Sequence, residues 1–68
     1  MSKFAERLKE LRLEKGLSQD KLAKEIGITH TAIGLWELDK RCPNILALIK
    51  LAKFFNVSTD YLLGLSDY

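Results

Sequence analysis

The stretch GLSQDKLAKEIGITHTAI, from Gly16 to Ile33, decides how the chain folds. Apolar residues within it and just beyond it fall at Leu22, Ala23, Ile26, Ile28, Ile33 and Trp36, and polar or small residues fill most of the gaps. Ser18 has the chemistry of an N-cap for a helix of about eight residues, and Gly27 can close that helix in the left-handed conformation. Thr29 can cap a second helix with Ile33 and Trp36 on its inward face, ending near Leu38, where Asp39 tolerates a turn. Two helices meeting at a steep angle need a small residue at their crossing, which Ala23 supplies, and Gly27 admits the positive φ of the tight turn between them. Ile26, Ile28, Ile33 and Trp36 then pin the second helix, leaving its N-terminal turn and outer face free.

Working outward, Phe4, Leu8 and Leu11 recur at the i, i+4, i+7 spacing of an amphipathic helix, here from about Ser2 to Lys15, which Gly16 stops. Cys42-Pro43 is a breaker. Asn44 can cap a helix from Ile45 to Phe55 whose apolar residues cover nearly its whole circumference, which predicts a helix surrounded by neighbours at the centre of the core. Ser58 caps a short last helix over 59–63 carrying Tyr61, Leu62 and Leu63 and ending at Gly64. No alternating strand pattern occurs. The expectation is an all-α, compact five-helix bundle forming a single domain over 1–68, with its central helix pair at about 18–38.

A chain of 68 residues can build only one small core. A preformed cofactor pocket of the usual ~300 Å³ or more would hollow that core out, so a binding module is favoured over an enzyme. Eleven basic against nine acidic residues leave a net charge of +2, which permits an anionic partner without demanding one. Cys42 is the only cysteine and His30 the only histidine, which excludes an internal disulfide and argues against a structural zinc site. The stretch from Ile45 to Phe55, interrupted by Lys50 and Lys53, falls far short of the ~20 residues that span a bilayer. The N-terminus turns charged at once, unlike a signal peptide, so a cytoplasmic protein is expected.

The stretch from Gly16 to Ile33 resembles the helix-turn-helix of the Cro and phage-repressor (Xre) family. The similarity continues through Trp36-Glu37, Lys40-Arg41-Cys42-Pro43, Leu48-Ile49-Lys50-Leu51-Ala52 and Asn56-Val57-Ser58 to Tyr61-Leu62-Leu63-Gly64, almost the whole chain. So many matches at fixed offsets are far more specific than one short motif. The resemblance implies a lambda-repressor-like DNA-binding domain whose third helix reads the major groove. It assigns base contacts to Thr29, His30, Thr31, Gly34 and Leu35, and phosphate contacts to Gln19, Lys40 and Arg41. It also implies that Arg12 and Glu37 form an ion pair bridging the first and third helices.

The physical chemistry of these residues fits. The free N–H groups of a helix start attract anions, and the Gln19 amide adds an uncharged donor there. Family members commonly place Gln, Arg, Lys or Ser where this chain has Gly34 and Leu35, so direct hydrogen-bond readout shrinks to His30 and Thr31. Leu35 can only pack on a thymine methyl, favouring an A·T-containing half-site. The bland alternatives are a solvated Gln19, two solvated loop cations at Lys40 and Arg41, and independent surface charges at Arg12 and Glu37.

Trp36, Phe4, Phe54 and Phe55 read as core aromatics rather than stacking platforms. His30 has no carboxylate at a useful spacing apart from Glu25 and Glu37, so catalysis is not expected of it. Cys42 reads as a free loop thiol. Gly16, Gly27, Gly34 and Gly64 do not make a phosphate-cradling loop, so nucleotide binding and other cofactors are not expected.

The expected function is a sequence-specific transcriptional regulator, a repressor that binds a palindromic operator in double-stranded DNA as a homodimer, with half-sites about 34 Å apart. Tyr61, Leu62, Leu65 and Tyr68 are the candidates for its dimer interface. Two rival readings stand beside it. One is a protein-interaction module, an antitoxin or anti-regulator, suggested by Leu13, Leu35, Leu38 and Leu46 at positions usually polar in the family, with Leu35 and Leu38 as the partner surface. The other is the N-terminal DNA-binding domain of a longer regulator.

Overall fold

A computed structural model describes residues 3–67. Five helices follow one another: α1 (Lys3–Glu14), α2 (Gln19–Ile26), α3 (His30–Glu37), α4 (Ile45–Phe55) and α5 (Thr59–Leu63). No strand occurs among the described residues, and the fold is all-α. Side-chain oxygens start four of the helices. Ser18 accepts from the Lys21 N–H at 3.0 Å, Thr29 from Ala32 at 3.3 Å, Asn44 from Ala47 at 2.8 Å and Ser58 from Tyr61 at 2.9 Å. Each bond satisfies a helix-start donor that would otherwise lack an intrahelical partner.

The turn between α2 and α3 is fixed by Gly27 at φ 72°, with the Ile28 N–H donating to the Ala23 carbonyl at 2.9 Å. At the end of α3, Asp39 takes φ 63° and the Lys40 N–H reaches back to the Leu35 carbonyl at 2.9 Å. That closure holds the backbone at Lys40 in place beside the helix, so the loop that follows starts from a set direction.

Leu8, Leu22, Ile33, Leu51 and Leu62 are the largest fully buried side chains. Phe4 meets Trp36 edge-on at 6.4 Å, and Phe54 meets Phe55 at 5.0 Å. Phe4, Trp36 and Phe55 are buried as expected. Phe54 is only half-buried, with the Lys15 ammonium 5.2 Å from its ring.

Two expectations fail. α4 is not surrounded by neighbours: it buries Ala47, Leu51, Ala52 and Phe55 along one face, whereas Ile45 and Leu46 are 75% and 71% exposed and Ile49 is also exposed. So short a chain has too few elements to cover both sides of α4, which packs against α2 and α5. Leu62 cannot belong to a dimer interface, because it is fully buried. The five-residue α5 has room for one inward anchor, and Leu62 is the residue it buries.

The chain's two ends meet through Arg7. Its guanidinium lies 4.2 Å from the centre of the Tyr61 ring, donates to the Tyr61 carbonyl, and donates to the Ser66 carbonyl at 2.6 Å. Gly64, at φ 80°, passes so close to Lys3 that a methyl group on it would collide with the Lys3 side chain.

Candidate nucleic-acid interface

Helical spacing divides α3 into two faces. Ile33, Trp36 and Glu37 point inward and are buried. His30, Thr31, Gly34 and Leu35, at i, i+1, i+4 and i+5, share the opposite face, where His30 and Thr31 are exposed and Gly34 and Leu35 half-buried. The outer face is thus short and polar at its N-terminal turn and apolar one turn later. Thr29 is exposed, but its hydroxyl is engaged in capping the helix.

Beside this face runs an open groove of about 440 Å³ lined by Thr29, Thr31, Leu35, Arg41, Cys42 and Asn44. Four of the residues singled out in the sequence therefore converge on it. Arg41 and Lys40 are exposed, with Arg41 in the groove wall. Cys42 is a free, exposed thiol in the same wall. Asn44, whose sequence signal is only that of a helix cap, also lines it.

α3 is anchored from behind by a charged network. Arg12 donates from Nε to Glu37 Oε2 at 2.6 Å and from Nη2 to Glu37 Oε1 at 3.0 Å, a two-bonded fork. Its remaining Nη1 donates to the Leu17 carbonyl at 2.8 Å. Both charged residues are buried. The bond from Glu37 pushes the Arg12 pKa up, more than burial lowers it. Among the described residues no buried side-chain nitrogen or oxygen lacks a partner.

Gln19 joins the network at the first residue of α2. Its Nε2 donates to Glu37 Oε1 at 3.2 Å, which leaves a second N–H on the same amide for an external acceptor. A Cβ at Gly34 would lie 3.5 Å from Gln19 Oε1, an ordinary van der Waals contact, so the arrangement does not depend on the glycine. Gln19 is thus held by Glu37, a coupling the sequence reading missed because residues 18 positions apart on different helices carry no periodic signal. His30 also finds a partner the sequence reading did not name: Asp20, not Glu25 or Glu37.

The candidate dimer residues separate. Tyr61 is half-buried beneath Arg7, Leu65 is 75% exposed, and Tyr68 lies outside the described residues.

With this geometry in view, the helix-turn-helix family model matches residues 8–62. The chain belongs to the helix-turn-helix family. The SPbeta prophage-derived HTH-type transcriptional regulator YonR of Bacillus subtilis (strain 168) is 45% identical over 88% of this chain and 56% of its own length. Among solved structures, the P22 c2 repressor in complex with synthetic operator 9T superposes with a TM-score of 0.87 at 33% identity, covering 93% of this chain and 96% of that one. The restriction-modification controller protein C.AhdI from Aeromonas hydrophila gives a TM-score of 0.80 at 36% identity, over 90% and 92%. The helix-turn-helix chain therefore falls among regulators rather than enzymes, and its five helices are those of lambda-like repressor domains. It spans about half the length of most of the curated relatives it matches first.

Proposed function

We propose that this helix-turn-helix chain binds double-stranded DNA in a sequence-specific way and represses transcription by occupying a palindromic operator as a homodimer. The observation that carries the reading is the outer face of α3, exposed at His30 and Thr31 and braced from behind by the buried Arg12–Glu37 fork. A helix so held can enter a major groove without reorganising. Base contacts fall to Thr29, His30, Thr31, Gly34 and Leu35, and phosphate contacts to Gln19, Lys40 and Arg41. Likeness to a repressor crystallised on its operator supports the same role here.

Dimerisation doubles the contacts and sets the half-site spacing. Leu65 is the exposed apolar candidate for the interface, with Tyr61 beside it. No helix among the described residues is long and apolar enough to cross a membrane.

The test is selection of bound duplexes from a random-sequence pool. A palindrome with half-sites one helical turn apart supports the reading; a pool that stays random after repeated rounds refutes it.

A second reading rests on a different observation. Leu38, Ile45, Leu46 and Ile49 are all exposed, which puts several large apolar side chains in reach of a protein partner. It makes the chain a protein-binding module acting through Leu35 and Leu38, and it requires that Leu35→Ala with Leu38→Ala abolish a protein complex and spare DNA.

A further inference from the structure

One cluster of charge serves neither the core nor the outer face of α3. Lys50, Lys53 and Phe54 of α4, with Glu25 and Ile26 at the end of α2, line an open cavity of about 320 Å³. Its apolar base is Ile26, which is buried, and Phe54, which is half-buried. Just past α1, the Lys15 ammonium stands 5.2 Å from the centre of the Phe54 ring. Three cations thus face one carboxylate around an apolar base. All three lysines are exposed, and none of them forms an ion pair among the described residues.

Folding explains only part of this arrangement. Lys15 and Lys53 stand at the C-terminal ends of their helices, where a cation suits the helix dipole. That accounts neither for Lys50, which neighbours Lys53 on α4 at a spacing where like charges repel, nor for the partly open aromatic ring beside them.

We propose that this patch docks an acidic segment of a partner protein, with one apolar side chain of that segment seated on Ile26 and Phe54. The inference goes beyond the DNA-binding reading and does not depend on it, and the surface is a different one from Leu35 and Leu38. Charge complementarity sets the chemistry of the occupant. Lys15, Lys50 and Lys53 attract carboxylates, while Glu25 repels them from the α2 wall, so the acidic residues gather on the lysine side. A nucleic-acid backbone, charged along its whole length, would meet Glu25, and a stacked base would have to displace the ammonium from the Phe54 ring. Because exposed ion pairs are screened, the complex is weak and sensitive to salt.

Its position lets this partner and DNA bind together. Gln19 opens α2 beside Glu37, and Asn44, the cap of α4, lines the groove next to α3. The patch lies at the far ends of the same two helices. Ile26 is roughly 10 Å along the axis from Gln19, and Lys53 roughly 13 Å from Asn44, at ~1.5 Å per residue. The cavity shares no lining residue with the groove. A chain seated on DNA through α3 therefore still presents Lys15, Lys50 and Lys53.

The experiment selects peptides from a random display library on the immobilised chain and measures the enriched peptide by fluorescence anisotropy. Enrichment of sequences with carboxylates flanking a leucine or an aromatic residue is expected. Lys50→Ala with Lys53→Ala should weaken that peptide ~5- to 20-fold and Lys15→Ala ~2- to 5-fold, with melting temperature little changed because all three side chains are exposed. Leu35→Ala with Leu38→Ala should leave the peptide's affinity alone, and saturating duplex should change it by less than ~2-fold. No enriched motif, a motif without carboxylates, or an affinity indifferent to the lysine substitutions would overturn the inference. So would an oligonucleotide that displaces the peptide and loses its own affinity in the Lys50→Ala, Lys53→Ala protein, since the patch would then be a nucleic-acid surface. A chain that holds the acidic peptide but no duplex at low salt would sink the DNA reading and leave this one standing.

Discussion

Arg12 and Glu37, 25 residues apart, meet in a buried two-bonded fork at 2.6 and 3.0 Å that joins the first helix to the last turn of the third. Glu37 accepts a further bond from Gln19, so one carboxylate ties together three helices and two of the faces proposed to meet DNA. The fork stabilises little relative to a well-packed apolar substitute, since both charges are desolvated, but losing one partner strands the other.

Arg12→Ala and Glu37→Ala should therefore each lower unfolding free energy by ~3–5 kcal/mol in urea denaturation, and the double variant should lose clearly less than the sum. Small, additive losses would mean that the fork is solvated. The pH dependence follows from the raised pKa of Arg12, chiefly caused by its bond to Glu37. A raised pKa gives stability that is complete below the unfolded value and is lost as pH rises from there through the folded one, so Arg12 should introduce no stability step between about pH 6 and 9. A step in that window that disappears in Arg12→Ala would contradict this.

Gly64→Ala should destabilise more than Gly27→Ala. Both positions have positive φ, which costs a β-carbon ~1 kcal/mol, but only at Gly64 does the added methyl also meet Lys3. Thermal unfolding of the two variants checks the order, and equal losses would show that the ends of the chain are not in contact.

Leu35→Ala should weaken binding by ~1 kcal/mol at sites carrying a thymine at the contacted step and leave other sites unaffected. Lys40→Ala and Arg41→Ala should weaken every sequence about equally. Competition binding with matched duplexes separates the two patterns; a uniform loss for Leu35→Ala would remove it from the base-reading set.

Leu65→Lys should shift the monomer–dimer equilibrium towards monomer by about tenfold or more while melting changes little, because a half-interface leucine is worth ~1.5–3 kcal/mol. Leu62→Lys should instead fail to fold, since Leu62 is fully buried. Sedimentation equilibrium and circular dichroism distinguish these outcomes. A Leu65→Lys protein that dimerises like the wild type would move the interface elsewhere, to the exposed row of α4.

The helices were legible because four of the starts carry a short polar cap and three of the stops a glycine, which are local signals, and α1 shows a one-sided apolar stripe. Which face of each helix is buried was legible only where the pattern was one-sided. In α4 the apolar residues run nearly all the way round, so periodicity could not reveal that Ile45, Leu46 and Ile49 face outward. Leu62 was misassigned for a related reason, because five residues make too short a window for a face to be read. The contacts of Arg7 with Tyr61 and Ser66, of Gln19 with Glu37 and of His30 with Asp20 join residues brought together by packing, and no spacing in the chain announces them. Arg12 with Glu37 came from the family resemblance rather than from the residues themselves.

The central claim is that the α3 face and its basic loop bind DNA, and the salt dependence of binding tests it most directly. Three cationic phosphate contacts per subunit, from Lys40, Arg41 and a neighbouring lysine, make six in a dimer, so log K should fall against log salt with a slope of ~5. Lys40→Ala should lower that slope by ~2, one contact in each subunit. Binding that ignores salt, or no binding to any duplex at low salt, would contradict the account.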